Sequence, residues 1–252
     1  MSSQSDKYRR FAALHVPGEP VILFNAWDPG SAQVVAEAGA KAIATGSASV
    51  ASAHGFNDAE ALPLGLALAN AARIVEAVAL PVTIDFEGAY AVEPEGVAAS
   101  MARLAATGAI GCNFEDQVIG GEGIHEVADQ AARIAAARSA VGTDFFINAR
   151  TDIFLQAKAD THDAAKVDAA IERARAYAEA GASGFFAPGL ADLALLERLC
   201  AASPIPVNFM AWPGTPPTAE IAATGVARIS HGPFPWRLAM AALKEAASKQ
   251  YS

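Results

Sequence analysis

Val82-Thr83-Ile84-Asp85-Phe86-Glu87-Gly88 follows a proline, and five of its first six residues are β-branched or acidic. It reads as a strand running into a loop. Side chains alternate along a strand, which would put Asp85 and Glu87 on one face, about 7 Å apart. A second stretch, Gly111-Cys112-Asn113-Phe114-Glu115-Asp116-Gln117, has the same character and also ends in acids. Neighbouring carboxylates repel, and burial makes each harder to ionise. A hard divalent cation, which takes oxygen ligands, relieves both costs. One such strand could simply end in solvated loop acids, but two ending alike point to a metal site.

Outward from these strands, strand and helix alternate along the chain. A leader helix at 7–15 precedes strands at 21–27, 42–45, 82–88, 111–116, 145–151, 184–187, 207–211 and 227–230. Helices are expected at 30–38, 63–78, 94–106, 126–141, 163–180, 191–201, 216–223 and 236–248, with a long Ala/Gly/Ser loop from strand two to Leu62. Short Val/Ile/Phe-rich strands alternating with helices imply a parallel sheet. Eight such units in about 250 residues fit a single (β/α)8 barrel, with 1–16 as leader and 17–252 as barrel. An open doubly wound sheet would leave strands unused, and no Gly-x-Gly-x-x-Gly follows strand one.

In such barrels the active site lies at the C-terminal ends of the strands. Taking the polar residues there collects Asn25 and Asp28, Thr45 to Ser47, Asp85 and Glu87, Asn113 and Glu115. Asn148, Arg150, Asp152, Asn208, Ser230 and His231 complete the set. Several carboxylates with one arginine suit a metal meeting an anionic substrate, since Arg clamps a carboxylate with two parallel hydrogen bonds. His231 is a candidate acid or base, or a hydrogen-bonded wall residue.

Asn25-Ala26-Trp27-Asp28, Thr45-Gly46-Ser47, Asp85-Phe86-Glu87, Phe114-Glu115-Asp116, Asn148-Ala149-Arg150-Thr151-Asp152 and Gly225-Val226-Ala227-Arg228-Ile229-Ser230 occur in order on these strands. Together they resemble the isocitrate lyase/phosphoenolpyruvate mutase superfamily over about residues 17–245. The resemblance implies a (β/α)8 barrel, a homo-oligomer (tetramer or dimer) with a helix exchanged between neighbours, and Mg2+ (or Mn2+) binding. It implies Asp85, Glu87, Asp58 and Glu115 around the metal, with Glu87 standing where the family has a second Asp. Arg150 would hold the substrate carboxylate, and Thr45, Gly46 and Ser47 would contact the substrate, with Asn25, Asn148 and Asn208 nearby.

Family lyases acting on isocitrate or methylisocitrate carry a Cys on the loop after strand four. Here that loop reads Val118-Ile119-Gly120-Gly121-Glu122-Gly123-Ile124-His125. Those two activities are therefore disfavoured. What the resemblance implies is metal-dependent C–C cleavage of a small 2-oxo or 2-hydroxy acid through a metal-stabilised enolate, with decarboxylation or a simple lyase first. A phosphonate P–C mutase or hydrolase is the alternative, and a degenerate acid-binding barrel the non-enzymatic one.

Composition narrows the class further. The 252 residues are 53% hydrophobic and 18% charged, enough for a large core, and the net charge of −9 argues against nucleic-acid binding. Two cysteines, Cys112 and Cys200, give no disulfide or zinc pattern and are expected in the core. No apolar run is long enough to span a membrane and no signal-peptide core is evident, which predicts a cytoplasmic protein. His15 and His162 are expected at the surface, and Lys166, Arg173 and Arg175 on a solvated helix face.

Overall fold

The computed structural model describes residues 3–251. Eight parallel strands stand in the order β1-β8-β7-β6-β5-β4-β3-β2. They are β1 (Val21–Leu23), β2 (Ile43–Ala44), β3 (Val82–Asp85), β4 (Gly111–Glu115), β5 (Phe146–Arg150), β6 (Gly184–Phe186), β7 (Val207–Met210) and β8 (Arg228–Ser230). A bridge between Ala26 and Thr45, with Ala26 N–H donating to Ala44 O at 2.8 Å, all but closes the ring. The expected (β/α)8 barrel is therefore what the chain forms.

The helices are α1 (Gln4–Ala13), α2 (Pro29–Glu37), α3 (Ser47–Ala53), α4 (Leu64–Ala77), α5 (Pro94–Ala105), α6 (Val127–Val141), α7 (Ala164–Glu179), α8 (Leu193–Ala202), α9 (Thr218–Ala223) and α10 (Phe234–Tyr251). Local chemistry sets several starts. Asp28 and Ser31 form a reciprocal cap on α2 with Pro29 in its first turn, and Asp163 caps α7. The sequence reading missed α3, whose small residues lack the apolar spacing that marks a helix; it forms inside the expected Ala/Gly/Ser loop. Among the described residues no helix is long and apolar enough to cross a membrane.

Burial falls into two main layers. The larger core lies between sheet and helices, and a smaller one fills the lower barrel with Val21, Leu23, Ala42, Ala44 and Phe146. Gly111 makes room for that filling: a Cβ there would come within 2.6 Å of Phe146 O. The leader helix plugs the barrel floor, placing Phe11 edge-on to Phe146 and stacking His15 on it at 4.3 Å.

His15 is thus buried rather than on the surface, because it follows Phe11 by four residues and shares its inward face. Its Nδ1 donates to Phe11 O at 2.9 Å. Burial, and then the charge of Arg228, push its pKa down to about 3. The folded value lies below the unfolded one of about 6.5, so the unfolded chain binds the proton first as pH falls. The contribution is intact above pH 6.5 and shrinks as pH drops towards 3. At pH 4.5 it should amount to about 2–3 kcal/mol lost relative to pH 7. His15→Phe should flatten the pH dependence of urea unfolding over this window, and an unchanged profile would show that His15 is not held neutral.

Candidate active site

Strand register builds the site. Asp85 lies beside Asn113, Asn113 beside Asn148, and Glu115 beside Arg150, all at the C-terminal end of the barrel. Above them opens a cavity of about 220 Å3. Asn25, Ser47, Asp58, Asp85, Asn113 and Arg150 line its polar side, and Leu155, Phe186, Pro188 and Met210 its apolar side.

Asp85 is oriented by its neighbours. Its Oδ2 accepts Ser47 N–H at 2.9 Å and its Oδ1 accepts Asn113 Nδ2 at 3.2 Å, while its own N–H donates to Thr45 Oγ1 at 2.9 Å. Asn113 Oδ1 in turn accepts from Asn148 at 2.9 Å and from Arg228 at 3.1 Å. Arg228 crosses the barrel interior fully buried, and burial lowers its pKa to about 10. Sequence reasoning missed this arginine, although it sits two residues before inward-facing Ser230 and so shares its face.

Arg150 is gripped from two sides. Its Nε and one terminal nitrogen bond Asp152 at 2.5 and 2.9 Å, and the other terminal nitrogen lies 2.7 Å from Glu115 Oε2. Burial pushes its pKa down, but Glu115 and Asp152 more than offset this and keep it charged. A guanidinium has five N–H donors. Two are engaged by Asp152, and the contact with Glu115 is an ion pair, which leaves donors on the terminal nitrogens for a substrate oxygen. Burial lifts Glu115 well above the usual carboxylate range against the pull of Arg150.

Behind Arg150 lies a second ion pair. Asp116 Oδ1 accepts Asp152 N–H at 2.9 Å, and its Oδ2 accepts from Arg173 at 3.1 Å and Tyr177 at 2.9 Å. Arg173 is therefore buried, not part of a solvated face, because α7 turns it towards the β4 end together with Tyr177 one turn on. Lys166 does stay at the surface end of α7, with Nζ on Thr161 O.

The remaining expected residues divide. Thr45, Glu115, Asn148 and Asn208 form buried floor beneath the cavity, with Asn208 and Ser230 in mutual contact at 3.4 Å. Asn25 ties the rim by donating to Thr45 O and accepting His231 N–H, both at 2.7 Å. His231 itself is not brought to the mouth. With Arg228 and Ser230 facing inward, parity turns it outward, where Nδ1 meets Leu23 O at 3.1 Å and the ring packs by Phe24. Glu122 and His125 do not line the cavity either. Cys112 is buried against Met101 and Cys200 is half-buried on α8. Burial raises both thiols, Cys200 to about 12.

Glu87 also departs from the expected place. The strand ends at Asp85, and Glu87 has φ +51°, so alternation no longer applies to it. Its carboxylate accepts Glu60 N–H and lines a neighbouring small cavity with Ile74, Phe86 and Tyr90. Burial, then the charge of Asp58, raise its pKa to about 8. Asp58 does reach the mouth, with its pKa raised by burial first and by Asp85 second. Among the described residues no three His, Cys, Asp or Glu side chains converge to cage a metal. Asp85 with Asp58 beside it suits an ion of a different kind. Mg2+ is held by one or two carboxylates and keeps several waters, which substrate oxygens replace.

A parallel barrel whose mouth joins crowded acids to a paired arginine defines an enzyme class acting on small acids. The family model described as phosphoenolpyruvate phosphomutase matches residues 11–250. An uncharacterized protein of Mycobacterium tuberculosis is 35% identical over 237 residues, 94% of this chain and 87% of that one. The 2-methylisocitrate lyase of Escherichia coli is 29% identical over 225 residues, covering 81% and 73%. A solved structure from Burkholderia cenocepacia J2315, provisionally named a phosphonomutase, superposes with a TM-score of 0.95 at 51% identity, covering 99% of this chain and all of that one. The chain belongs to the phosphoenolpyruvate phosphomutase family, within the PEP mutase/isocitrate lyase superfamily.

Proposed function

We propose that this protein is a Mg2+-dependent (or Mn2+-dependent) lyase that cleaves a C–C bond in a small 2-oxo or 2-hydroxy acid, with loss of CO2 the first candidate. The observation that carries this reading is the mouth itself, where Arg150, paired with Glu115 and Asp152, lines a cavity shared with Asp85 and Asp58. Bound there, the cation would supply a Lewis acid for the negative charge developing on the substrate's 2-oxo oxygen. Asp85, fixed by Ser47 and Asn113, would hold it with Asp58 alongside.

Arg150 binds and orients the substrate carboxylate. Asp152 and Glu115 restrain its guanidinium, so little rotamer freedom is lost on binding. Leu155, Phe186, Pro188 and Met210 keep water from the opposite side, where the departing group would sit. Among the described residues no Cys or His lines this cavity. That favours decarboxylation, which needs no base to begin, over an aldol-type cleavage. A phosphonate substrate is the second reading, favoured by the phosphomutase family match.

A metal-dependent turnover screen over 2-oxo acids, malates and phosphonopyruvate tests the reading, with oxalate as inhibitor. Oxalate, planar like an enolate, should compete with substrate, and Arg150→Lys should weaken it by about 1.5–3 kcal/mol because the planar fork is lost. Consumption of phosphonopyruvate, with the 2-oxo acids and malates of the screen left untouched, would establish P–C chemistry in place of C–C cleavage.

We further propose a cytoplasmic homo-oligomer. α10 leaves the barrel with Leu238 and Leu243 exposed, while Ile22 and Phe24 lie uncovered on the outer face near β1. A groove of about 480 Å3 runs past them, lined by Pro20, Ile22, Phe24 and Val35. The α10 of a second copy has the apolar residues to cover that face. Light scattering should show a dimer or tetramer at micromolar concentration, and the double variant Leu238→Glu, Leu243→Glu should dissociate it. A wild-type monomer would remove the assembly.

A further inference from the structure

Among the described residues, five non-glycine positions have positive φ, and all lie in two segments. Ala59 and Glu60 (66° and 59°) follow α3; Glu87, Ala89 and Tyr90 (51°, 65° and 56°) follow β3. Residues with a Cβ hold that conformation only where their surroundings over-determine it. Here the two segments determine each other. Glu87 Oε2 accepts the Glu60 N–H, and Glu60 Oε1 accepts the Tyr90 N–H at 2.7 Å. Arg133 closes the back from α6, donating to Gly88 O at 2.7 Å and Ala91 O at 2.9 Å. A Cβ on Gly88 would lie 3.0 Å from the Glu60 carboxylate, so the segments meet without spare room. Asp58, which lines the mouth, is two residues before the locked Glu60.

We propose that Glu87 is a latch: its carboxylate serves as the acceptor that fixes the 58–60 segment, and so presents Asp58 beside Asp85, instead of ligating a metal itself. It is a positioning residue acting through Asp58. The length of glutamate matters, because an aspartate would withdraw the acceptor by one methylene and strand the Glu60 N–H. The latch is a property of the two loops, and only its consequence for metal binding rests on the proposed function.

The requirement of a latch differs from that of a ligand. A latch needs an acceptor, which glutamine also provides, whereas a ligand for a hard cation needs the charge. Glu87→Gln, Glu87→Asp and Glu87→Ala in the full chain would be compared by amide exchange over residues 56–62 and by calorimetric Mg2+ titration with oxalate present. Glu87→Gln should keep both the exchange rates and the Mg2+ affinity within about twofold of wild type, since its hydrogen bond survives. Glu87→Asp and Glu87→Ala should speed exchange at 58–62 by about fivefold to tenfold, the worth of one hydrogen bond in a local opening, and weaken Mg2+ alongside.

Two results would overturn the latch. One is Glu87→Gln losing Mg2+ as severely as Glu87→Ala while exchange at 58–62 stays slow. The other is wild-type exchange in both Glu87→Asp and Glu87→Ala. Should the wild-type chain bind neither Mg2+ nor oxalate, the proposed function fails, and the exchange rates still decide the latch.

Discussion

Arg173→Leu is expected to destabilise the fold by about 3–5 kcal/mol, because it leaves a buried carboxylate without its cation. Asp116 is fully buried and its only ion-pair partner among the described residues is Arg173, at 3.1 Å. Tyr177 and the Asp152 N–H still reach it, but neither carries a charge. Denaturant unfolding would measure the loss directly. An arginine on a solvated helix face would change stability by no more than about 0.5 kcal/mol, so the two placements are well separated. Adding Asp116→Asn to the variant should recover part of the loss, since no charge is then stranded. The damage should also reach the mouth, because Asp116 holds the Asp152 backbone and Asp152 holds Arg150. Weakened oxalate binding in Arg173→Leu, at a temperature where the chain is still folded, would register that coupling.

The second large effect is at the metal. Removing a group that merely supports a metal ligand typically costs about 10–100-fold in affinity, so loss of the ligand should cost at least the upper end. Asp85→Ala is therefore expected to lower Mg2+ affinity by about 100-fold or more, measured by calorimetry with and without oxalate. The alanine also strands the Ser47 N–H and the Asn113 amide, which both point at this carboxylate. Asp85→Asn separates the two consequences. It keeps an oxygen for the Ser47 N–H but turns an NH2 towards the Asn113 amide, so it should cost less stability than the alanine while Mg2+ binding still fails. Equal Mg2+ affinity in wild type and Asp85→Asn would show that the ion sits elsewhere.

The barrel, its strand order and the floor of the mouth were legible in the sequence because each rests on a local rule. Gly111 to Glu115 and Phe146 to Arg150 alternate regularly, so inward positions fall on Asn113, Glu115, Asn148 and Arg150 without knowledge of neighbours. The same rule, carried past the ends of strands, failed. Glu87 lies beyond the last hydrogen-bonded residue of β3, where a left-handed backbone breaks the alternation. At His231 the rule itself holds: it follows an inward Ser230, parity sends it to the outer flank, and counting both as inward misapplies the rule. α3 was invisible because Ser47–Ala53 is small and weakly apolar; its place is set by the strand that feeds it.

What tertiary structure alone decided is which charges are buried and with whom. Nothing in the spacing of α7 distinguishes Arg173 from Arg175, yet one closes on Asp116 and the other stays exposed. Arg228 lies 115 residues from Asn113 and meets it only across the closed barrel. His15 is kept neutral by burial beneath a ring from β5 and by the charge of that same arginine. Composition and alternation determine which residues can face inward, since they follow from single-strand geometry. The pairing of buried charges depends on distances between remote segments, and those exist only once the barrel has closed.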